Sequence, residues 1–161
     1  MNMNKKGFSM IEMLTVVLII SILSAIALPQ YSRVREKAHF ARAQVMAKSL
    51  YNSCERLLIE FGSDYSRAFT APYDSKPISR LDISDEASLP AGFVANDTTI
   101  TGAGFSFGIA ANSDGDGCVV NIAKTSGETV SIKFDGEKFL CQTGSNAEMC
   151  SLYKVEFASG D

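Results

Sequence analysis

The chain has 161 residues, with 15 Lys and Arg against 18 Asp and Glu and a formal net charge of −3. That length suits one domain with a real core, and the slightly acidic balance excludes a whole-chain footprint for nucleic acid. Apolar residues make up 46% and charged residues 20%, an ordinary average, but the apolar residues are unevenly placed.

The opening segment, residues 1–7, is short and polar, carries Lys5 and Lys6, and ends in Gly7. Phe8–Leu28 follows, 21 residues with one charge, Glu12. As a helix it is long enough to cross a hydrocarbon core of about 30 Å. Its twelve Leu, Ile, Val and Phe residues favour insertion by roughly 5 kcal/mol, against at most ~3 kcal/mol for one acid near the helix end. Insertion wins, and the acid is a functional-site candidate because a charge in a membrane segment is costly. Two plainer readings stay open. One is a simple N-terminal anchor. The other is a secretory signal with Lys5-Lys6 as basic region, Met13–Ser24 as apolar core and Ala25-Ile26-Ala27 as cleavage site, giving a soluble exported protein that begins at Leu28.

The order of these elements resembles the N-terminal signal of type IV prepilins and type II secretion pseudopilins. It has a basic leader ending in Gly7, then Phe8, then an apolar helix with Glu12 fifth from Phe8; Phe8-Ser9-Met10-Ile11-Glu12-Met13 stands where that family has F-T-L-I-E-L, and Pro29 and Tyr31 follow as in many pilins. The resemblance implies removal of residues 1–7 by a prepilin peptidase, methylation of the Phe8 amine, and assembly through Phe8 and Glu12. Glu12 would neutralise the N-terminal amine of a neighbouring subunit. The implied partners are further copies of the chain, other pilins, the peptidase, an inner-membrane assembly platform and, before assembly, lipid. The implied place is the bacterial inner membrane with the N-terminus cytoplasmic, then a surface pilus or a periplasmic pseudopilus. A pilus subunit for adhesion, motility or DNA uptake is the main expectation, a secretion pseudopilin the alternative; a minor or tip pilin is a third reading, against which Glu12 argues. Counting basic residues alone points the other way across the membrane, because Arg33, Arg35, Lys37 and Arg42 follow the apolar run. Those four residues suit a solvated helix face or lipid headgroups. Ser21 and Ala25 form a small-x-x-x-small pair that permits close helix packing.

Pro29 is expected to kink the helix rather than end it. Tyr31, Val34, Ala38, Ala41 and Val45, then Met46, Leu50, Cys54, Leu57 and Phe61, continue an apolar stripe, so residues 29–61 read as an amphipathic helix closed by Gly62. Residues 62–103, with Pro72, Pro77 and Pro90, read as a long connection. Beyond them Phe105/Phe107/Ile109, Cys118/Val120/Ile122 and Val130/Ile132/Phe134 alternate, Ser126-Gly127 and Asp135-Gly136 mark turns, and Lys138–Cys141 and Ser151–Phe157 read as further strands. The expected class is α+β, the pilin fold: a long helix, apolar then amphipathic, packed on an antiparallel sheet of about four strands within a head of residues 62–161.

Four cysteines, Cys54, Cys118, Cys141 and Cys150, lack any C-x-x-C pair, and His39 is the sole histidine. A metal site or cofactor is therefore not expected. Of three possible pairings, nearness in sequence favours Cys141–Cys150, which leaves Cys54–Cys118; free core thiols are the alternative. Asn112–Gly117 has a superficial calcium-loop look, but Ala123 stands where an EF-hand needs its closing Glu, so the main reading is a tight Asp/Gly turn, with a calcium site the lesser alternative. With no nucleophile–base set or phosphate loop, an enzyme is not expected.

Overall fold

The computed structural model describes residues 9–70, 76–85 and 87–158. Helix α1 runs Met10–Glu60 and continues through Pro29, whose missing N–H leaves the Ala25 carbonyl without its usual donor. The helix ends in a Schellman turn: Ser63 N–H reaches the Leu58 carbonyl at 2.9 Å and Gly62 N–H the Ile59 carbonyl at 3.4 Å. Gly62 has φ +71°, the left-handed conformation this cap requires and glycine adopts at least cost.

Two units divide the chain, residues 1–36 and 37–161. In the first, every described residue from Ser9 to Arg35 is exposed, and α1 here supplies the one stretch among the described residues long and apolar enough to cross a membrane, with mean hydropathy 2.5. In the second, α1 buries Phe40, Ala43, Ala47, Leu50, Cys54 and Leu58, spaced 3, 4, 3, 4 and 4 on one face. This corrects the sequence stripe. Met46, Leu50 and Cys54 face the core, but Tyr31, Val34 and Val45 are 69%, 64% and 66% exposed, and Ala38 and Ala41 are also exposed. Two apolar stripes share this helix, and periodicity alone does not say which one a sheet will cover.

The second unit holds α2 (Tyr65–Ala68), a 3₁₀ turn (Ile78–Arg80), strands β1 (Phe93–Ala95), β2 (Ile100–Gly102), β3 (Phe105–Ala111), β4 (Cys118–Lys124), β5 (Ser131–Phe134) and β6 (Phe139–Cys141), helix α3 (Ala147–Tyr153), and β7 (Glu156–Phe157). Among the described residues the sheet has seven strands in chain order. It is antiparallel except that β7 pairs parallel to β6. The larger number has a simple cause: β1, β2 and β7 have three, three and two residues, too few to show alternation. The connection 62–103 thus carries α2, the 3₁₀ turn, β1 and β2. Ser151–Phe157 divides between the last three residues of α3 and strand β7, so only Glu156–Phe157 keeps the expected strand; Asn146 caps α3 by accepting the Met149 N–H at 3.1 Å, a side-chain cap that outweighs the weak alternation after it.

The register aligns Ile100, Phe107, Ile122, Ile132 and Cys141 across β2 to β6. All five are at most 1% exposed, forming one continuous row beneath the helix. Ile122 sits at its middle, so Ile122→Ala is expected to cost about 2–5 kcal/mol, measured as a shift in the denaturant midpoint at unchanged m-value.

Disulfides join Cys54 on α1 to Cys118 on β4, and Cys141 on β6 to Cys150 on α3, each with Cα atoms 6.3 Å apart. A polar latch ties the 76–85 segment to α1. The buried Ser53 hydroxyl donates to Asp82 Oδ1, and Arg56 donates to Asp82 Oδ2 from Nη2 at 2.7 Å and Nε at 3.1 Å. The Ser53 hydroxyl first, then Arg56, holds the Asp82 carboxyl below the usual aspartate range against the cost of partial burial. A depressed folded pKa means that this stabilisation is present above about pH 4 and fades as pH falls through the folded value. Asp82→Asn should therefore lower the thermal midpoint at pH 7, and the gap from wild type should close in acid.

Candidate functional site

The N-terminal segment carries the site. Gly7 and Phe8, with Lys5 and Lys6, lie outside the described residues, and the description begins at Ser9. There the chain spells Ser9-Met10-Ile11-Glu12, and the structure makes it a variant of the capping box in which the Ser9 hydroxyl takes the second rather than the third helical amide. Glu12 Oε2 accepts the Ser9 N–H at 2.8 Å, and Ser9 Oγ accepts the Ile11 N–H at 3.4 Å. The reciprocal bonds satisfy donors that the first helical turn would leave orphaned. The Ser9 carbonyl meanwhile accepts from Glu12 and Met13 N–H at 3.1 and 3.3 Å. Glu12 therefore has a local role that hydropathy does not reveal: it starts α1. Its charge also lies at the positive end of the helix dipole, a favourable interaction of a few tenths to about 1 kcal/mol.

Along the exposed apolar segment the hydroxyls bond inward to the helix itself. Thr15 Oγ1 donates to the Glu12 carbonyl at 2.9 Å and Ser21 Oγ to the Val17 carbonyl at 2.7 Å. Such back-bonding removes their polarity from the helix surface, leaving Ser21 and Ala25 small and exposed. Past Pro29, Ser32 Oγ bonds the Pro29 carbonyl at 2.9 Å.

Other singled-out residues belong to the second unit. Of the basic group, Arg42 is occupied within the second unit, where it donates to the Ala91 carbonyl at 3.0 Å and lies over the Phe93 ring at 5.9 Å. His39 Nδ1 lies 3.1 Å from the Ala103 carbonyl oxygen at the β2–β3 turn. In Asn112–Gly117 the polar groups turn on one another: Asn112 Oδ1 accepts the Asp116 N–H at 3.1 Å, Asn112 Nδ2 donates to Asp116 at 2.8 Å, and the Gly115 carbonyl accepts from Tyr65 N–H at 3.1 Å. No group of three or more His, Cys, Asp or Glu among the described residues is placed to hold a metal ion.

A family model falls on the same segment. Residues 2–28 match the family described as the prokaryotic N-terminal methylation motif. The chain is type IV pilin-like in this N-terminal part, and the long helix packed on a sheet agrees with the pilin fold. Two proteins of Pseudomonas aeruginosa, each called a fimbrial protein, are 39% identical to it over 56 residues, which is 35% of this chain and 36% of each relative. The match thus spans about a third of the length of those relatives. No solved structure gives a significant match.

Proposed function

We propose that this chain is the precursor of a structural subunit of a type IV pilus. In this reading a prepilin peptidase cuts after Gly7, the Phe8 amine is methylated, and residues 8–28 hold the subunit in the inner membrane with the N-terminus cytoplasmic. The subunit then passes through an assembly platform into a filament of like subunits, where Glu12 meets the amine of a neighbour and Pro29 bends the stem. The observation that carries the reading is the methylation-motif match over residues 2–28, a segment that holds Gly7, Phe8 and, four residues on, Glu12. Two disulfides in the second unit support export of that part to an oxidising compartment, opposite to what the basic-residue count suggests. The likeness to fimbrial proteins and the presence of Pro29 favour the pilus over a secretion pseudopilus.

The test is the mass and N-terminal sequence of the mature protein from sheared filaments or native membranes. A start at Phe8 with one added methyl group, on a chain of 154 residues, is the expected result. A start at Leu28 would mean an ordinary secretory signal and would overturn the filament role.

A further inference from the structure

We infer that a lysine-rimmed groove at the α1–α3 junction of the second unit binds the headgroups of acidic phospholipid, holding the subunit against the bilayer before assembly. The inference rests on the membrane-anchored reading above. Two hollows adjoin there, sharing Gln44 and Lys154 in their linings. The smaller, about 170 Å³, has Phe40, Ala41 and Leu152 in its wall beside Lys37. The larger, about 410 Å³, adds Lys138 together with one carboxylate, Glu156. All three lysines are exposed, and none forms an ion pair with a described residue.

The lining decides the chemistry. Phe40 stacks on Tyr153 with ring centroids 4.3 Å apart, so the wall is aromatic and aliphatic while the rim is cationic. That combination fits an amphiphile with an anionic head better than a bare anion. Lys154 reinforces it. It occupies the left-handed C-cap of α3 at φ +57°, where glycine is the ordinary choice, so the chain places a cation at a position that disfavours any side chain.

Position favours lipid over nucleic acid. Lys37 follows Leu28, the last residue of the apolar run, by nine residues. A groove tethered so near the anchor experiences a high effective concentration of lipid surface, and each lysine near an anionic surface adds about 1 kcal/mol of attraction, or about fivefold in affinity. Duplex nucleic acid calls for a longer basic stripe than this acidic chain presents.

The full-length chain, inserted into vesicles of phosphatidylcholine alone or with about a third phosphatidylglycerol, is pulsed with an amine-reactive label and read by mass spectrometry. Slower labelling of Lys37, Lys138 and Lys154 is expected only with phosphatidylglycerol, reversed in about 0.5 M salt, with Lys48 and Lys76 unchanged. Lys37→Gln and Lys138→Gln should each weaken the protection of Lys154 about fivefold. Equal labelling in both vesicles, or protection that survives both substitutions, overturns the lipid site while leaving the pilus subunit intact. Protection by duplex DNA and not by phosphatidylglycerol overturns it in favour of nucleic acid. A chain that fails to float with either vesicle overturns the membrane anchor itself.

Discussion

Glu12→Gln is expected to reduce filament assembly by at least about a hundredfold while leaving the subunit processed and in the membrane. The substitution separates two roles for one side chain. Glutamine keeps an oxygen for the Ser9 N–H, now accepted by Glu12 Oε2 at 2.8 Å, and capping boxes use either residue. What it removes is the charge. If that charge meets a neighbour's amine inside an apolar filament core, its loss leaves an unpaired buried amine, a penalty of about 3–5 kcal/mol per contact, or more than a hundredfold in the assembly equilibrium. The measurement is sheared filament against membrane-resident subunit by immunoblot. Filaments at wild-type level would mean that Glu12 serves only to start the helix, and the inter-subunit role would be lost. Glu12→Ala removes charge and cap together and is expected to be no better than Glu12→Gln.

The second large effect belongs to the head. Replacing Cys54 and Cys118 together with Ala is expected to destabilise the oxidised protein by about 4 kcal/mol, because the bond closes a loop with a sequence separation of 64 residues and the chain-entropy cost grows with loop length. The Cys141–Cys150 pair, with a separation of 9, should cost about 2.5 kcal/mol on the same reckoning. Thermal unfolding of the two double variants, with and without reductant, tests the order. Reductant should lower the wild-type midpoint and bring it towards that of the Cys54/Cys118 variant. If the short-loop variant proves the less stable of the two, loop entropy does not govern these bonds, and local packing around β6 and α3 does.

The two effects differ in how far they were legible beforehand. Glu12 stands out by composition alone, as the single acid in a run of 21 residues. Its bond to Ser9 was also written in the sequence, since Ser-x-x-Glu before an apolar helix is a local pattern. A reading guided only by hydropathy passes over it. The exposed stripe of Tyr31, Val34, Ala38, Ala41 and Val45 shows the opposite case. Its spacing is as regular as that of Phe40, Ala43, Ala47, Leu50 and Cys54, and only the second set is buried. Helical period identifies a face but not its partner. The groove lysines were less legible still. Lys37, Lys138 and Lys154 lie more than a hundred residues apart at the extremes, and they meet because α3 exists, which the alternation in Ser151–Phe157 had hidden.

The amino-acid sequence by itself determined what depends on neighbours along the chain: an anchor-length apolar run, the methylation motif and capping pattern at its start, a long helix, and the alternating strands β3, β4 and β5. Local sterics, hydropathy and backbone hydrogen bonding act over a few residues, so they can be read there. The tertiary structure decided which side of α1 became core, the seven-strand order with a parallel last pair, the Asp82 latch, and the clustering of three distant lysines. Each of these depends on which surfaces meet, and burial energy rewards a contact regardless of how far apart its residues lie in the chain.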